Sequence, residues 1–423
     1  MESSNGGDSK PLVIKFGGTS VGSGARFVRA ATITTEAARR RPVAVVVSAM
    51  GGATDTLLGF ANATAKAARA AARDAARGVV PRTSTGATRE GSVAELHRAL
   101  KERHLQAARE AISQEYLPAV ERELLRLLGE LVEVLVAPAS NLAARRDSVA
   151  VFGERLSAVI LAGAIRSLGQ DAAVVAEAPI ATDSNFGEAE VDAEETRERC
   201  SRYVTPILDE GTVAVVPGYA GRTPDGLPAT LGRGGSDLSA TVLGRALGSR
   251  EVWILTDVNG VLDADPRLVP EAMTLTRLSY QEAHAFAGLG AKVLHPRTME
   301  PAIESGMEVI VRNTFDPEGP DTLVSNFEDE PGVRCLALRP GLEIEVPCTH
   351  GHKSRASAVI CIGTPEDADT TNGLRALREA GIPILYHGSI PAGLLFMVPA
   401  EIGERALLAL HDVLICGPRE AVA

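Results

Sequence analysis

Lys15 closes a short apolar run, Leu12-Val13-Ile14, and leads through Phe16 straight into Gly17-Gly18-Thr19-Ser20-Val21. A lysine, then two glycines, then a helical pattern from Ala25 to Ala38 makes a ready anion site. Backbone N–H groups point outward there, no Cβ blocks a phosphate, and the ammonium adds a compact positive charge. The spacing fits neither the P-loop nor the Rossmann fingerprint, so neither fold is implied, and a plain tight turn would use the same residues. Five further stretches add polar groups of complementary kinds. Val47-Ser48-Ala49-Met50-Gly51-Gly52-Ala53-Thr54-Asp55 is a second strand-to-glycine turn, with the hydroxyls of Ser48 and Thr54 available to a small polar molecule. Thr54 or Asp55 would serve equally well as a simple helix N-cap. Gly153-Glu154-Arg155-Leu156-Ser157 puts a carboxylate in the first turn of a helix, where it complements the dipole or receives an ammonium group.

Leu231-Gly232-Arg233-Gly234-Gly235-Ser236-Asp237 sets one arginine fork among three glycines ahead of an amphipathic helix. Such a fork suits a carboxylate or phosphate. Ser236 and Asp237 alone would pass for a cap and a dipole partner, but three glycines around one arginine exceed what capping needs. Thr256-Asp257-Val258-Asn259-Gly260-Val261-Leu262-Asp263-Ala264-Asp265-Pro266-Arg267 follows the apolar run Val252–Leu255 and carries two turn formers, Asn259-Gly260 and Asp265-Pro266. It reads as a surface loop or as a loop at a nucleotide's edge. Lys292, in Gly290-Ala291-Lys292-Val293-Leu294-His295-Pro296-Arg297, stands before a helix opened by Pro296, and His295 reads as the residue that starts that helix rather than as a catalytic group.

The elements that must hold these residues are buried strands alternating with helices. Leu12–Phe16, Val43–Val47, Ala172–Val175, Val213–Val216, Val252–Leu255 and Glu308–Val311 are apolar without polar alternation. That pattern belongs to strands covered on both faces of a largely parallel sheet, and ligands of such sheets bind at the carboxyl ends of the strands. An alanine-rich stretch from Ala61 to Ala76, a polar stretch from Gly78 to Gly91 read as an exposed excursion, and two helices, Val93–Ser113 and Tyr116–Val136, form a helical elaboration over about 61–137. Asp316–Gly332, rich in proline, glycine and acid, has the composition of a linker. Beyond it come strand Ala358–Ile362, helix Asn372–Ala380, strands Ile382–Tyr386 and Leu394–Val398, helix Glu401–His411 and a short apolar end, Val413–Cys416, read as a last strand. That order is the ferredoxin-like βαββαβ.

The 423 residues allow two or three domains, with 45% hydrophobic and 23% charged residues as in an ordinary globular protein. A net charge of −11 speaks against nucleic acid as a partner. Five cysteines (Cys200, Cys335, Cys348, Cys361, Cys416), without CxxC spacing, fit reduced thiols. With no apolar run read as membrane-spanning and a polar, glycine-rich Met1–Ser9, the expected place is the cytoplasm.

Taken in order, KFGGTSV, VVSAMGGATD, GERLS, GRGGSD, TDVNGVLDADPR and GAKVLHPR resemble the aspartate kinases of the amino acid kinase superfamily, from about Val13 to Val324. The resemblance implies an αβα sandwich with a mostly parallel sheet over 10–325, and a small ferredoxin-like module of ACT type over 333–423. It implies transfer of the ATP γ-phosphoryl group, with Mg²⁺, to the β-carboxylate of L-aspartate. Lys15 and Asp237 fall on the catalytic positions, Asp237 orienting the lysine. Gly17 and Gly18 fall on the phosphate loop. Ser48, Thr54, Glu154 and Arg233 fall on positions that hold aspartate, with Glu154 toward its ammonium group and Arg233 toward a carboxylate. Thr256, Asp257, Leu262, Arg267 and Lys292 fall on nucleotide contacts. A dedicated metal-ligand set is not expected, because the ion rides mainly on phosphates and water.

Two departures qualify the likeness. Leu262-Asp263 stands where the family usually has Tyr-Thr, which exchanges an aromatic contact for an apolar one and places a negative charge near phosphates. The family usually carries two ACT modules that bind lysine or threonine; here Ala358–Leu414 matches the second, and Gly332–Pro347 only the opening strand of the first. Weak or absent feedback inhibition is the expectation, with a homodimer or higher homo-oligomer formed through such modules. A kinase whose acidic amino acid substrate has drifted, or a ligand-sensing subunit without catalysis, would keep the same fold.

Overall fold

The structure is a computed structural model that describes residues 10–63, 84–137, 140–288, 295–345, 353–391 and 393–417. Contacts divide the chain into two compact units, one ending at Asp257 and one starting at Val258.

The first unit is built on five parallel strands in the order Glu251–Thr256, Leu12–Phe16, Val43–Val47, Val213–Pro217, Ala172–Val174. Their buried, β-branched composition is what the sequence pattern predicts for a sheet covered on both faces. Side chains alternate across the sheet. Leu12, Ile14 and Phe16 join Val43, Val45 and Val47 in one core with the helices Gly24–Ala38 and Phe152–Ser167. Val13 and Lys15 therefore face the other side, where the helix Gly235–Leu247 packs. The result is helix, sheet, helix.

The helices Ser84–Ala111 and Leu117–Val136 pack onto Gly24–Ala38 and Phe152–Ser167 as a further layer. Val120, Leu124, Leu127, Leu128, Leu131 and Leu135 repeat every three to four residues and supply its buried stripe. The first of these helices starts at Ser84, so the part of Gly78–Gly91 from that residue on is helical rather than an irregular excursion. Residues 64–83, including most of the alanine-rich stretch, lie outside the described residues. A second, small sheet runs Val191–Asp192, Ala181–Thr182, Ala220–Arg222, Pro228–Thr230.

Residues Leu142–Ser167, 26 in all, contain an 18-residue window apolar enough to cross a membrane by length and composition, contrary to the expectation that no run approaches that length. The protein buries 89% of that window in its own core, where the same apolarity is explained by packing. None of the four described cysteines forms a disulfide, and Cys348 lies outside the described residues.

In the second unit, Thr322–Ser325 pairs in parallel with Arg277–Ser279 and antiparallel with Glu308–Asn313. The proline- and glycine-rich stretch read as a linker thus contains a strand. Pro296, opening the helix Pro296–Ser305 behind His295, sits where its missing N–H costs nothing.

The C-terminal part is a four-stranded antiparallel sheet in the order Gly332–Glu345, Lys353–Thr364, Gly393–Pro399, Tyr386–Ile390, with helices Asp367–Glu379 and Gly403–Leu414 packed together. Three elements differ from expectation. The strand expected over Ile382–Tyr386 begins only at Tyr386. Val413 and Leu414 finish the last helix instead of forming a strand. Gly332–Glu345, read as the opening strand of a lost module, occupies the place beside Lys353–Thr364 that the missing final strand would fill. Ala264 and Val269 share this module's core with Leu336, Phe396 and Leu410, so the loop after Val258 is packed into it.

Candidate active site

Strand register decides where the polar residues meet. Phe16 aligns with Val47 on one side and Leu255 on the other, and Val47 aligns with Pro217. Four strands end in one row, and the segments beginning at Gly17, Ser48, Gly218 and Asp257 all leave from it.

Lys15, one residue before that row and facing the Gly235–Leu247 helix, is buried, and its Nζ lies 2.5 Å from Asp237 Oδ1. Asp237 is in the first turn of that helix, whose N-cap Gly234 has φ +68°. The left-handed backbone at Gly232 and Gly234 explains two of the three glycines. The third, Gly235, is pressed against the Tyr219 ring, and a Cβ there would come within 2.8 Å of Cδ2. A Cβ on Gly17 would stand 3.4 Å from Lys15 Nζ, in the space an anion beside that ammonium would use. Gly18 takes an N–H bond from Gly51 at 3.0 Å, and a Cβ on it would lie 2.8 Å from the Ala49 carbonyl. The two glycine turns are therefore locked onto each other. Ser48 N–H donates to Phe16 O at 3.1 Å, and Gly17 N–H to Leu255 O at 3.1 Å.

Glu154 sits in the first turn of Phe152–Ser167 and is 2% exposed. Its Oε1 accepts the Ala49 N–H at 3.3 Å, and the Thr54 side chain also hydrogen-bonds the carboxyl. Oε2 is buried without a hydrogen-bond partner among the described residues. Burial pushes this carboxyl from an ordinary 4.5 up to about 8, against the opposing pull of those hydrogen bonds. A buried acid with one oxygen unsatisfied is costly unless a cation or donor arrives.

Lys15, Gly17, Gly18, Ser48, Thr54, Glu154 and Asp237 are thus tied into one edge by direct contacts. Arg233 is exposed on the turn ahead of the Asp237 helix. Thr256 ends its strand and donates its hydroxyl to Asp257 at 3.2 Å. Leu262 and Arg267 belong to the second unit. Leu262 bridges Thr274, and exposed Arg267 holds Asp265 through Nε at 2.9 and 3.2 Å. Lys292 lies outside the described residues.

Asp263 departs from expectation. It is 3% exposed, its carboxylate accepts from Met273 N at 3.2 Å and faces His411 Nε2 at 3.3 Å, and its carbonyl accepts from Leu336 N. These partners account for its charge within the C-terminal module, so it is not a solvent-facing charge offered to phosphates.

Two residues of the edge carried no usable signal. Tyr219, the one described non-glycine residue with positive φ (74°), donates its N–H to Ser239 Oγ at 3.0 Å. Burial raises its phenol's pKa, and the Glu154 and Asp147 carboxyls add to the rise. Asp147 is buried and accepts the N–H groups of Gly187 (2.8 Å) and Thr230 (2.7 Å), bracing the small sheet. In sequence the first is an aromatic between Gly218 and Ala220, and the second reads as a charge beside Arg145-Arg146.

A cavity of about 740 Å³ also opens in this unit, lined by residues such as Leu127, Val159, Arg155 and Arg222. Lys15, Glu154 and Asp237 do not line it, and of its arginines Arg155 is engaged by Glu130 (2.8 Å) and Arg222 by Glu177 (2.6 Å). The chemistry lies at the strand ends instead.

Residues 10–313 match the family model described as the amino acid kinase family. The chain belongs to the amino acid kinase family. Among curated members of that family, it is 33% identical over 337 residues to the chloroplastic aspartokinase 2 of Arabidopsis thaliana, which covers 78% of this chain and 57% of that protein. It is 33% identical over 333 residues to the lysine-sensitive aspartokinase 3 of Escherichia coli K12, covering 78% and 68%. The chain therefore spans a little over half of the plant relative's length. Escherichia coli aspartokinase III, solved with aspartate and ADP, superposes with a TM-score of 0.71 at 26% identity, covering 95% of this chain and 99% of that one. The same enzyme with lysine and aspartate gives 0.74 at 25%, covering 96% and 100%.

Proposed function

We propose that this amino acid kinase is an aspartate kinase, converting L-aspartate and MgATP to 4-phospho-L-aspartate and ADP. The observation that carries the reading is Glu154: a buried carboxyl with one oxygen unsatisfied, at the edge where Lys15 and Asp237 meet. A substrate ammonium group supplies the missing partner. Ser48, Thr54 and Arg233 then answer the two carboxylates, and the relatives named for aspartate support the choice of substrate.

The chemistry asks little of a base. The β-carboxylate is ionised at neutral pH and attacks the γ-phosphorus directly. The bond from phosphorus to the β,γ-bridging oxygen breaks, and ADP leaves with the electron pair. What the protein must do is bring two anions together and hold charge on the moving phosphoryl group. Lys15 does so with its ammonium group, fixed by Asp237, and Gly17 and Gly18 keep the turn beside it free of side chains, the Gly17 N–H itself being bound to Leu255 O. Mg²⁺, carried on the phosphates, adds charge neutralisation. Thr256, Asp257, Leu262, Arg267 and Lys292 are assigned to the nucleotide by the resemblance alone.

Residues 10–325 are proposed as the catalytic domain and 333–423 as a single ACT-like region through which a homodimer forms. Gly332–Glu345 completes that region's own sheet, which leaves little of a first module to hold lysine or threonine. Four cysteines outside disulfides fit a reducing compartment such as the cytoplasm.

Purified protein with MgATP, hydroxylamine and a panel of amino acids tests the reading, with and without lysine and threonine. Hydroxamate from L-aspartate alone is expected. Hydroxamate from another acidic amino acid would mark a drifted kinase, and none from any would mark a sensing subunit.

A further inference from the structure

The last turn of the Gly403–Leu414 helix gathers three groups that the proposed reaction does not use. His411, Asp412 and Cys416 each present a ligand atom, and these atoms all lie within 4.8 Å of one another. His411 is buried, while Asp412 and Cys416 are exposed. The backbone sets this up: the N–H groups of Ile415 (3.0 Å) and Cys416 (3.2 Å) both bond the His411 carbonyl, curling the chain end back over the imidazole.

The second ring nitrogen supplies the independent observation. His411 Nε2 faces the carboxylate of Asp263 at 3.3 Å, 148 residues away in sequence and itself buried. A carboxylate accepts, so the tautomer that fits this contact has its proton on Nε2 and the Nδ1 lone pair toward Cys416. Nδ1 points at Cys416 Sγ, 3.7 Å away. A tetrahedral metal with bonds of about 2.0 Å to nitrogen and 2.3 Å to sulfur spans roughly 3.6 Å between those two atoms. The observed gap is close to that span, and it equally fits the Cys416 S–H donating to Nδ1.

We propose that His411 Nδ1, the Asp412 carboxylate and Cys416 Sγ form a divalent-metal site of zinc type, with Asp263 as the buried carboxylate that orients the imidazole. Imidazole, carboxylate and thiolate together favour Zn²⁺ over Mg²⁺ or Ca²⁺, which prefer oxygen alone. Binding releases the Cys416 thiol proton to solvent, and water fills the fourth position. A carboxylate behind a ligating histidine is the usual support of such sites. Through Asp263 the metal would tie the chain's last helix to the loop that starts at Val258.

The test uses the full chain, stripped with chelator and titrated with Zn²⁺ against a chromophoric competitor, and separately with Co²⁺ alone. One Zn²⁺ per chain is expected, with a thiolate-to-cobalt charge-transfer band. Cys416→Ser should abolish the band and weaken Zn²⁺ binding at least tenfold. Asp412→Asn, also at the surface, should weaken it to a similar degree. Asp263→Asn, which removes no ligand, should weaken it roughly 10–100-fold while leaving the band in place at saturation. No stoichiometric binding, or equal affinity in the native protein and Cys416→Ser, would overturn the site and leave a thiol–imidazole contact only. Neither outcome depends on kinase activity.

Discussion

If Glu154 receives the substrate's ammonium group, aspartate affinity must depend on pH in a specific way. Lifting the carboxyl from 4.5 to about 8 corresponds to roughly 5 kcal/mol against carrying its charge in the empty site. At pH 7 only about one empty site in ten is then ionised. Ammonium pairing needs the ionised form, so binding must release close to one proton at pH 7. The Kd for aspartate should fall about tenfold from pH 6 to 7, fall again toward pH 8, and flatten above it. Calorimetric titrations in two buffers of different ionisation enthalpy read both the affinity and the proton release. Glu154→Gln should lose the pH dependence and weaken aspartate by roughly 3–5 kcal/mol, the range for breaking a buried pair. The sign for stability is opposite. Between pH 4.5 and 8 the folded state holds a proton that the unfolded state has lost, so folding stability falls as pH rises through this window. Glu154→Gln should therefore unfold at a higher temperature than the native protein at pH 8.5. A Kd that is flat from pH 6 to 8, or a variant that binds aspartate as well as the native protein, would refute the reasoning.

Other substitutions separate the remaining roles. Lys15→Met should lower kcat at least a thousandfold with aspartate Kd little changed, read by hydroxamate formation and calorimetry. Asp237→Asn should lower kcat with a smaller change in aspartate KM, since it holds the lysine rather than the amino acid. Gly18→Ala should lower thermal stability and lose most ATP affinity, since its Cβ meets the backbone carbonyl of Ala49 at 2.8 Å and pushes the two locked turns apart; a melting curve and nucleotide titration check the two halves. Leu262→Tyr should tighten ATP binding relative to GTP, and equal preferences would remove that idea. Lysine and threonine should leave the rate unchanged below millimolar concentration, and sub-millimolar inhibition would refute a lost effector site.

Local grammar made much of this site readable. Lys15 at a strand end, Glu154 in a first turn and Asp237 behind three glycines are each set by residues within a few positions, and the apolar strands around them are unambiguous. What escaped is set at a distance. Tyr219 takes its backbone from a contact with Ser239 and its ring position from Gly235. Asp147 is defined by the amides of Gly187 and Thr230. Asp263 looked like a loop charge because its partner, His411, lies 148 residues on. Val413–Cys416 shows the other weakness: four apolar residues fit a strand or a helix end equally, and only packing against the sheet decides.

The place of Leu12–Phe16 between Val43–Val47 and Glu251–Thr256 also sets a schedule. This strand is made before the other strands of its sheet, and its neighbour Glu251–Thr256 is synthesised about 240 residues later. At 5–20 residues per second, that is a wait of roughly 10–50 s. For that time this buried strand has one ladder of hydrogen bonds open, and Lys15 has no Asp237 to meet. Because Lys15 and Asp237 are also far apart in sequence, refolding from denaturant should recover Lys15-dependent activity late, after most helical signal has returned.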